Sequence, residues 1–84
     1  NTYSYISDRG QYFTKLKEGI LPGGEMYIVD FKKRETPIGP PIDERTSIKT
    51  VTSELAISGY NIIEVDSTTL EYQYILVAEP DFGL

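Results

Sequence analysis

The sequence predicts an α/β fold in the order helix, strand, helix, strand, strand, with the last strand antiparallel. Three observations carry this. Apolar residues recur at helical spacing over 9–20 and again over 48–56, runs rich in β-branched and aromatic residues fill 25–31, 61–67 and 72–79, and glycine or proline punctuates every junction. Alternation of helix and strand implies parallel pairing through right-handed crossovers, and the closing hairpin adds one antiparallel strand.

Each element has its own justification. Residues 1–6 are β-favouring and read as the end of a strand. Ser7 or Asp8 can cap a helix in which Tyr12, Phe13, Leu16 and Ile20 form one apolar face, with Gly19 at its end and Pro22-Gly23-Gly24 as the turn. Residues 25–31 are almost continuously apolar, as expected of a strand covered on both faces. Residues 32–43 hold three of the five prolines and form a structured loop, since Pro40 and Pro41 cannot continue a ladder. Thr46 or Ser47 caps a second helix with Ile48, Val51, Leu55 and Ala56 as its buried stripe and Gly59 as its stop. Strands 61–67 and 72–79 follow, joined by a tight turn at 68–71.

Composition narrows the chemistry. The 84 residues suffice for one small domain, and 39% hydrophobic with 25% charged residues is the balance of a folded chain. There is no cysteine and no histidine, so disulfides are excluded, and a zinc site or catalytic triad would lack its usual residues. A net charge of −5 argues against nucleic acid as the main partner. All eight Lys and Arg lie at or before Lys49, whereas Glu54, Glu64, Asp66, Glu71, Glu79 and Asp81 follow it. That acidic segment alternates with apolar residues and reads as sheet with a solvated face, not as a metal cluster. No run reaches the length of a membrane span and no signal-peptide layout opens the chain, so no membrane association and a cytoplasmic location are expected.

The segment 21–31, Leu-Pro-Gly-Gly-Glu-Met-Tyr-Ile-Val-Asp-Phe, resembles the turn and fifth strand of class I, S-adenosylmethionine-dependent methyltransferases. Asn1-Thr2-Tyr3 through Asp8-Arg9 is similar to the end of that family's fourth strand. Thr36-Pro37-Ile38-Gly39-Pro40-Pro41 resembles a loop of a bacterial subgroup, Glu54-Leu55 through Gly59-Tyr60 a helix end, and 72–77 the closing strand. The resemblance implies the C-terminal half of a Rossmann-like methyltransferase sheet, from the end of strand 4 through strand 7. The cofactor-binding half, with its glycine-rich turn and its ribose-binding acid, is expected to lie upstream. S-adenosylmethionine is then the cofactor of the intact enzyme and none is expected for this chain alone. The usual histidines after the fourth strand are replaced by Ser4 and Tyr5.

In open α/β sheets ligands sit beyond the carboxyl ends of the parallel strands. Residues 1–6, 32–43 and 68–73 reach that rim, whereas 19–24 and 59–60 fall on the opposite edge. Thr2 and Tyr3 are therefore candidates for the cofactor pocket, and Gly39, Pro40, Pro41, Tyr72 and Gln73 for the substrate side. The run Lys32-Lys33-Arg34 offers attraction for an anion or a solvated strand exit, and Asp30 a base or a turn residue. Methyl transfer asks mainly for alignment and exclusion of water, so no fixed catalytic residue is assigned. The reading is a methyltransferase fragment, inactive alone, with an unidentified acceptor. The alternative is a non-catalytic, self-associating module on the same fold. A homodimer or association with the missing half is expected, because a half-sheet leaves apolar surface uncovered.

Overall fold

The computed structural model describes residues 8–83. Helix α1 spans Arg9–Lys17, strand β1 Met26–Phe31, helix α2 Ile48–Ile57, strand β2 Tyr60–Asp66 and strand β3 Gln73–Pro80, with a single 3-10 turn at Ile42–Glu44 between β1 and α2. The expected strand end at 1–6 and the alternative cap Ser7 lie outside the described residues.

The helix starts follow from side-chain capping. Asp8 adopts φ 52° and accepts from the Gln11 amide at 3.2 Å, and Ser47 accepts from the Thr50 amide at 3.2 Å. Gly59 ends α2 at φ 92°, a conformation that costs glycine little. A Cβ there would also meet Lys17 Nζ at 2.6 Å.

The strands form one sheet in the order β1-β3-β2. Both outer strands run antiparallel to β3, with Met26 opposite Ala78 and Phe31 opposite Gln73 on one side, and Tyr60 opposite Pro80 and Asp66 opposite Ile75 on the other. β1 and β2 thus run in the same direction, as a crossover through α2 requires. They do not pair with each other, because β3 returns between them. The mixed α/β class and the antiparallel last strand stand, and the direct parallel pairing does not.

Both helices pack on one face of the sheet. Phe13, Val51 and Leu55 meet Tyr60, Tyr74, Leu76 and Ala78 in the core, with Ile20, Met26, Ile28, Ile48 and Ile62 around it. Phe13 lies edge-on to Tyr60 at 6.2 Å, and the Tyr60 hydroxyl donates to the Phe13 carbonyl at 2.8 Å. Arg9 closes the helix pair from outside by a forked contact with Glu54 at 2.8 and 3.1 Å.

Three burial expectations need correcting. β1 is not covered on both faces: Met26 and Ile28 turn toward the core, but Tyr27 and Val29 are 64% and 41% exposed, since no described helix lies on their side. Tyr12 and Leu16 stay largely exposed on α1, which touches the core through Phe13. Ala56 is exposed, because Ser58 takes the next inward position after Val51 and Leu55.

Candidate functional site

The strand register fixes the two edges. The carboxyl ends of β1 and β2 and the start of β3 lie together, because Phe31 pairs with Gln73 and Asp66 with Ile75. The opposite edge carries the Pro22-Gly23-Gly24 turn and Gly59.

The loop at 32–43 is tied to this rim at its start. The Lys32 amide donates to the Tyr72 carbonyl at 2.9 Å, and Lys32 Nζ and Arg34 Nη2 both reach the Glu71 carbonyl, at 2.9 and 2.8 Å. Loop and β2–β3 turn therefore form one surface. That turn is itself built around Asp66, whose carboxylate accepts from the Thr68 and Thr69 amides at 3.0 Å and from the Thr69 hydroxyl. The Thr69 bonds, with the Thr68 amide, pull the Asp66 carboxyl down to about 2.

Inside the loop the organising residue is Arg45, which is only 6% exposed. Its guanidinium donates to the carbonyls of Pro40 (2.8 Å), Lys32 (3.2 Å), Arg34 (2.8 Å) and Ile38 (3.2 Å), and lies 5.0 Å from the centre of the Phe31 ring. Lys33 Nζ donates to the carbonyls of Ile42 and Arg45 at 3.2 and 2.6 Å. Gly39, at φ 100°, rests on Phe31 so closely that a Cβ would meet the ring at 2.7 Å.

The candidate substrate-side residues are distributed as follows. Gly39, Pro40 and Pro41 lie on the loop, where Gly39 and Pro41 are exposed and the Pro40 carbonyl is taken by Arg45. Tyr72 and Gln73 lie beside the loop's root, half-buried, opposite Lys32 and Phe31. The fold therefore gathers these five on one rim. Thr2 and Tyr3, the cofactor-side candidates, lie outside the described residues. Lys33 and Arg34 are exposed, as a solvated strand exit requires, and the side chains of Lys32, Lys33 and Arg34 each donate to main-chain carbonyls. A shallow depression of about 490 Å³ between loop and α2 is lined by Arg9, Lys33, Asp43, Arg45 and Ser47, and its cations are the ones already engaged.

Asp30 lies within β1, not in a turn; it is 2% exposed, and its Oδ1 accepts from the Phe31 amide at 2.8 Å. Across the ladder from it stands Tyr74, fully buried, whose phenol is pushed up by burial and by the Asp30 carboxylate. Arg45 was not singled out from sequence. Its one outward signal is a lone cation between a proline-rich loop and a helix cap.

Gly23 and Gly24 are on the far edge, and a Cβ at Gly24 would meet Ile20 Cγ2 at 2.9 Å and the Leu21 carbonyl at 3.0 Å, so the turn is closed on itself. No group of three or more metal-ligating side chains occurs among the described residues. No described helix is long and apolar enough to cross a membrane.

No family model matches the chain, and no curated protein matches it in sequence. Two solved structures do. A SAM-dependent methyltransferase from Aquifex aeolicus superposes with a TM-score of 0.85 at 27% identity, over 92% of this chain and 40% of that one. A protein described as a type 11 methyltransferase from Sulfolobus solfataricus superposes with a TM-score of 0.77 at 23% identity, over 94% of this chain and 45% of that one. This chain thus spans less than half the length of either. With its returning strand between two strands of common direction, the chain has the fold of the class I, S-adenosylmethionine-dependent methyltransferases and matches the C-terminal part of that fold.

Proposed function

We propose that this chain is the acceptor-side portion of an S-adenosylmethionine-dependent methyltransferase, that it shapes the rim on which a methyl acceptor rests, and that it is inactive until joined by a cofactor-binding portion. The observation that carries the reading is the close superposition on a SAM-dependent methyltransferase over 92% of this chain and only 40% of the other. A glycine-rich turn and a ribose-binding acid are absent from the 84 residues, and cofactors of this shape are held mainly by those two features. Calorimetric titration of the chain with S-adenosylmethionine is expected to give no heat of binding at micromolar concentrations. Micromolar binding would overturn the claim that a second portion is needed.

A second reading, a self-associating module, draws on the uncovered sheet face with Tyr27 and Val29. Against it, the three strands contain no Lys or Arg, and Glu64 and Asp66 sit in the same cross-strand rows as Tyr27 and Val29 through Val77 and Ile75. Two copies meeting face to face would bring like charges together. Light scattering is therefore expected to show a dimer that grows with salt, as screening relieves that repulsion. A tight dimer at low salt would favour the module.

A further inference from the structure

The sheet face away from the helices is asymmetric across its three strands. Glu25 precedes β1, and Tyr27 and Val29 follow on the same side, 64% and 41% exposed. Opposite them the middle strand places Val77, which is buried, and Ile75, which is half-buried. On the far strand the same two rows end on Glu64, which is exposed, and Asp66, which is half-buried. β3 is therefore the floor of a trough with one apolar wall and one acidic wall. The next row, Phe31 with Gln73, is covered at the Phe31 ring by Gly39 and the Arg45 guanidinium, so the loop and Arg45 close that end.

Charge in the trough has one sign. The three strands contain no Lys or Arg, and the cations that follow β1, at 32–34, lie beyond the closed end and donate to main-chain carbonyls there. Two carboxylates bear on Tyr27 itself. Its hydroxyl donates to Glu25 at 3.1 Å, and that bond, the Glu25 charge and, further off, the Glu64 charge push the phenol up. Width and charge together select an occupant. Walls two strand spacings apart stand roughly 10 Å from each other, about the diameter of one α-helix. A single added strand would leave one wall bare. A second copy would set carboxylate against carboxylate, and a nucleic acid or an anionic lipid surface would meet the same repulsion.

We infer that this trough is a docking site for one amphipathic α-helix of a partner protein, apolar where it meets Tyr27, Val29 and Val77 and bearing Lys or Arg toward Glu64 and the open end at Glu25. The inference uses neither the cofactor nor the rim beyond Phe31, so it can fail while the methyltransferase reading stands, and the reverse.

The experiment is amide and methyl NMR on this chain, titrated with a designed Leu/Lys helix of about four turns. The controls are the same peptide with Glu in place of Lys, and oligolysine, which has no apolar stripe. The Leu/Lys helix is expected to shift Tyr27, Val29, Ile75 and Glu64, and to bind about tenfold more weakly when salt is raised to about 1 M. The Leu/Glu helix should bind at least about tenfold more weakly than the Leu/Lys helix at low salt. Tyr27→Ala removes an exposed side chain of the apolar wall and should weaken the Leu/Lys helix about tenfold. Glu64→Lys should narrow the gap between the two helices. Should one variant fail to fold, the other and the peptide pair still decide. The inference is overturned if the Leu/Lys helix shifts Tyr12 and Leu16 or Ile38 and Ile42 instead, or shifts none of these residues at millimolar concentration. It is equally overturned if the Leu/Glu helix binds as well, if oligolysine gives the same shifts, or if Glu64→Lys leaves the gap unchanged. Shifts of Tyr27 and Val29 on diluting the chain alone at low salt would give the trough to a second copy and overturn it too.

Discussion

Gly39 shows how much one position can hold. At φ 100° it occupies backbone space that a side chain rarely adopts, and a Cβ would sit 2.7 Å from an atom of the Phe31 ring. Because Phe31 is itself buried under Arg45, the ring has little room to yield. Gly39→Ala is expected to cost about 1–3 kcal/mol from backbone strain alone, read as a lowered midpoint in urea, with the loop's amides the first to lose protection. Asp66 makes a different prediction. Its carboxyl titrates near 2 in the folded chain, against about 3.9 when unfolded. A lowered folded value means that its contribution is complete above the unfolded value and disappears as pH falls through the folded one. Thermal unfolding followed from pH 5 to pH 2 should therefore show a loss in the native chain that is smaller in Asp66→Asn.

What the residues revealed in advance follows from the kind of contact each makes. Ile48, Val51 and Leu55 were legible because burial against one face imposes the helical repeat on side-chain type. Arg45 was not, because its partners are carbonyls, and every residue carries the same carbonyl whatever its side chain. A bond from a side chain to the backbone of a loop leaves no mark on the acceptor's identity. Gly39, Pro40, Pro41, Tyr72 and Gln73 could be placed on one rim by topology alone, but the means by which the loop is held there could not.

Among the elements, α2 matters most. Val51 and Leu55 are fully buried in the core, and Ser58 follows them inward. Leu55→Ala is expected to remove about 2–5 kcal/mol, lost transfer free energy plus the cavity left behind. A domain of this size holds only about 4–13 kcal/mol in all, so calorimetry should show a large fall in the melting temperature or outright unfolding. Ala56→Ser, one residue further along but exposed, should change stability by less than about 0.5 kcal/mol. The pair checks the corrected stripe directly. β1 was over-read for a related reason. A run of apolar residues does not say whether both faces are covered within the same 84 residues, and here Tyr27 and Val29 remain open on the side away from the helices.

For the molecule as a whole, the uncovered face and the covered one divide the labour. The helical side supplies the core that holds the chain together, and the other side leaves Tyr27 and Val29 exposed on strands that contain no Lys or Arg. The edge at β2 is blunted by an irregularity between Ile62 and Glu64 and by the charges of Glu64 and Asp66, which discourages strands of other chains from adding there.

The place of β3 in the sheet has a consequence for assembly. Among the described residues, β1 and β2 share no hydrogen bond, and each finds its ladder on β3, which follows both in the chain. On a ribosome, then, nothing resembling the finished sheet can be born piecemeal, since the keystone emerges after both of the stones it locks. Until that moment the apolar segments around Ile28 and Ile62 wait without the neighbour that β3 supplies.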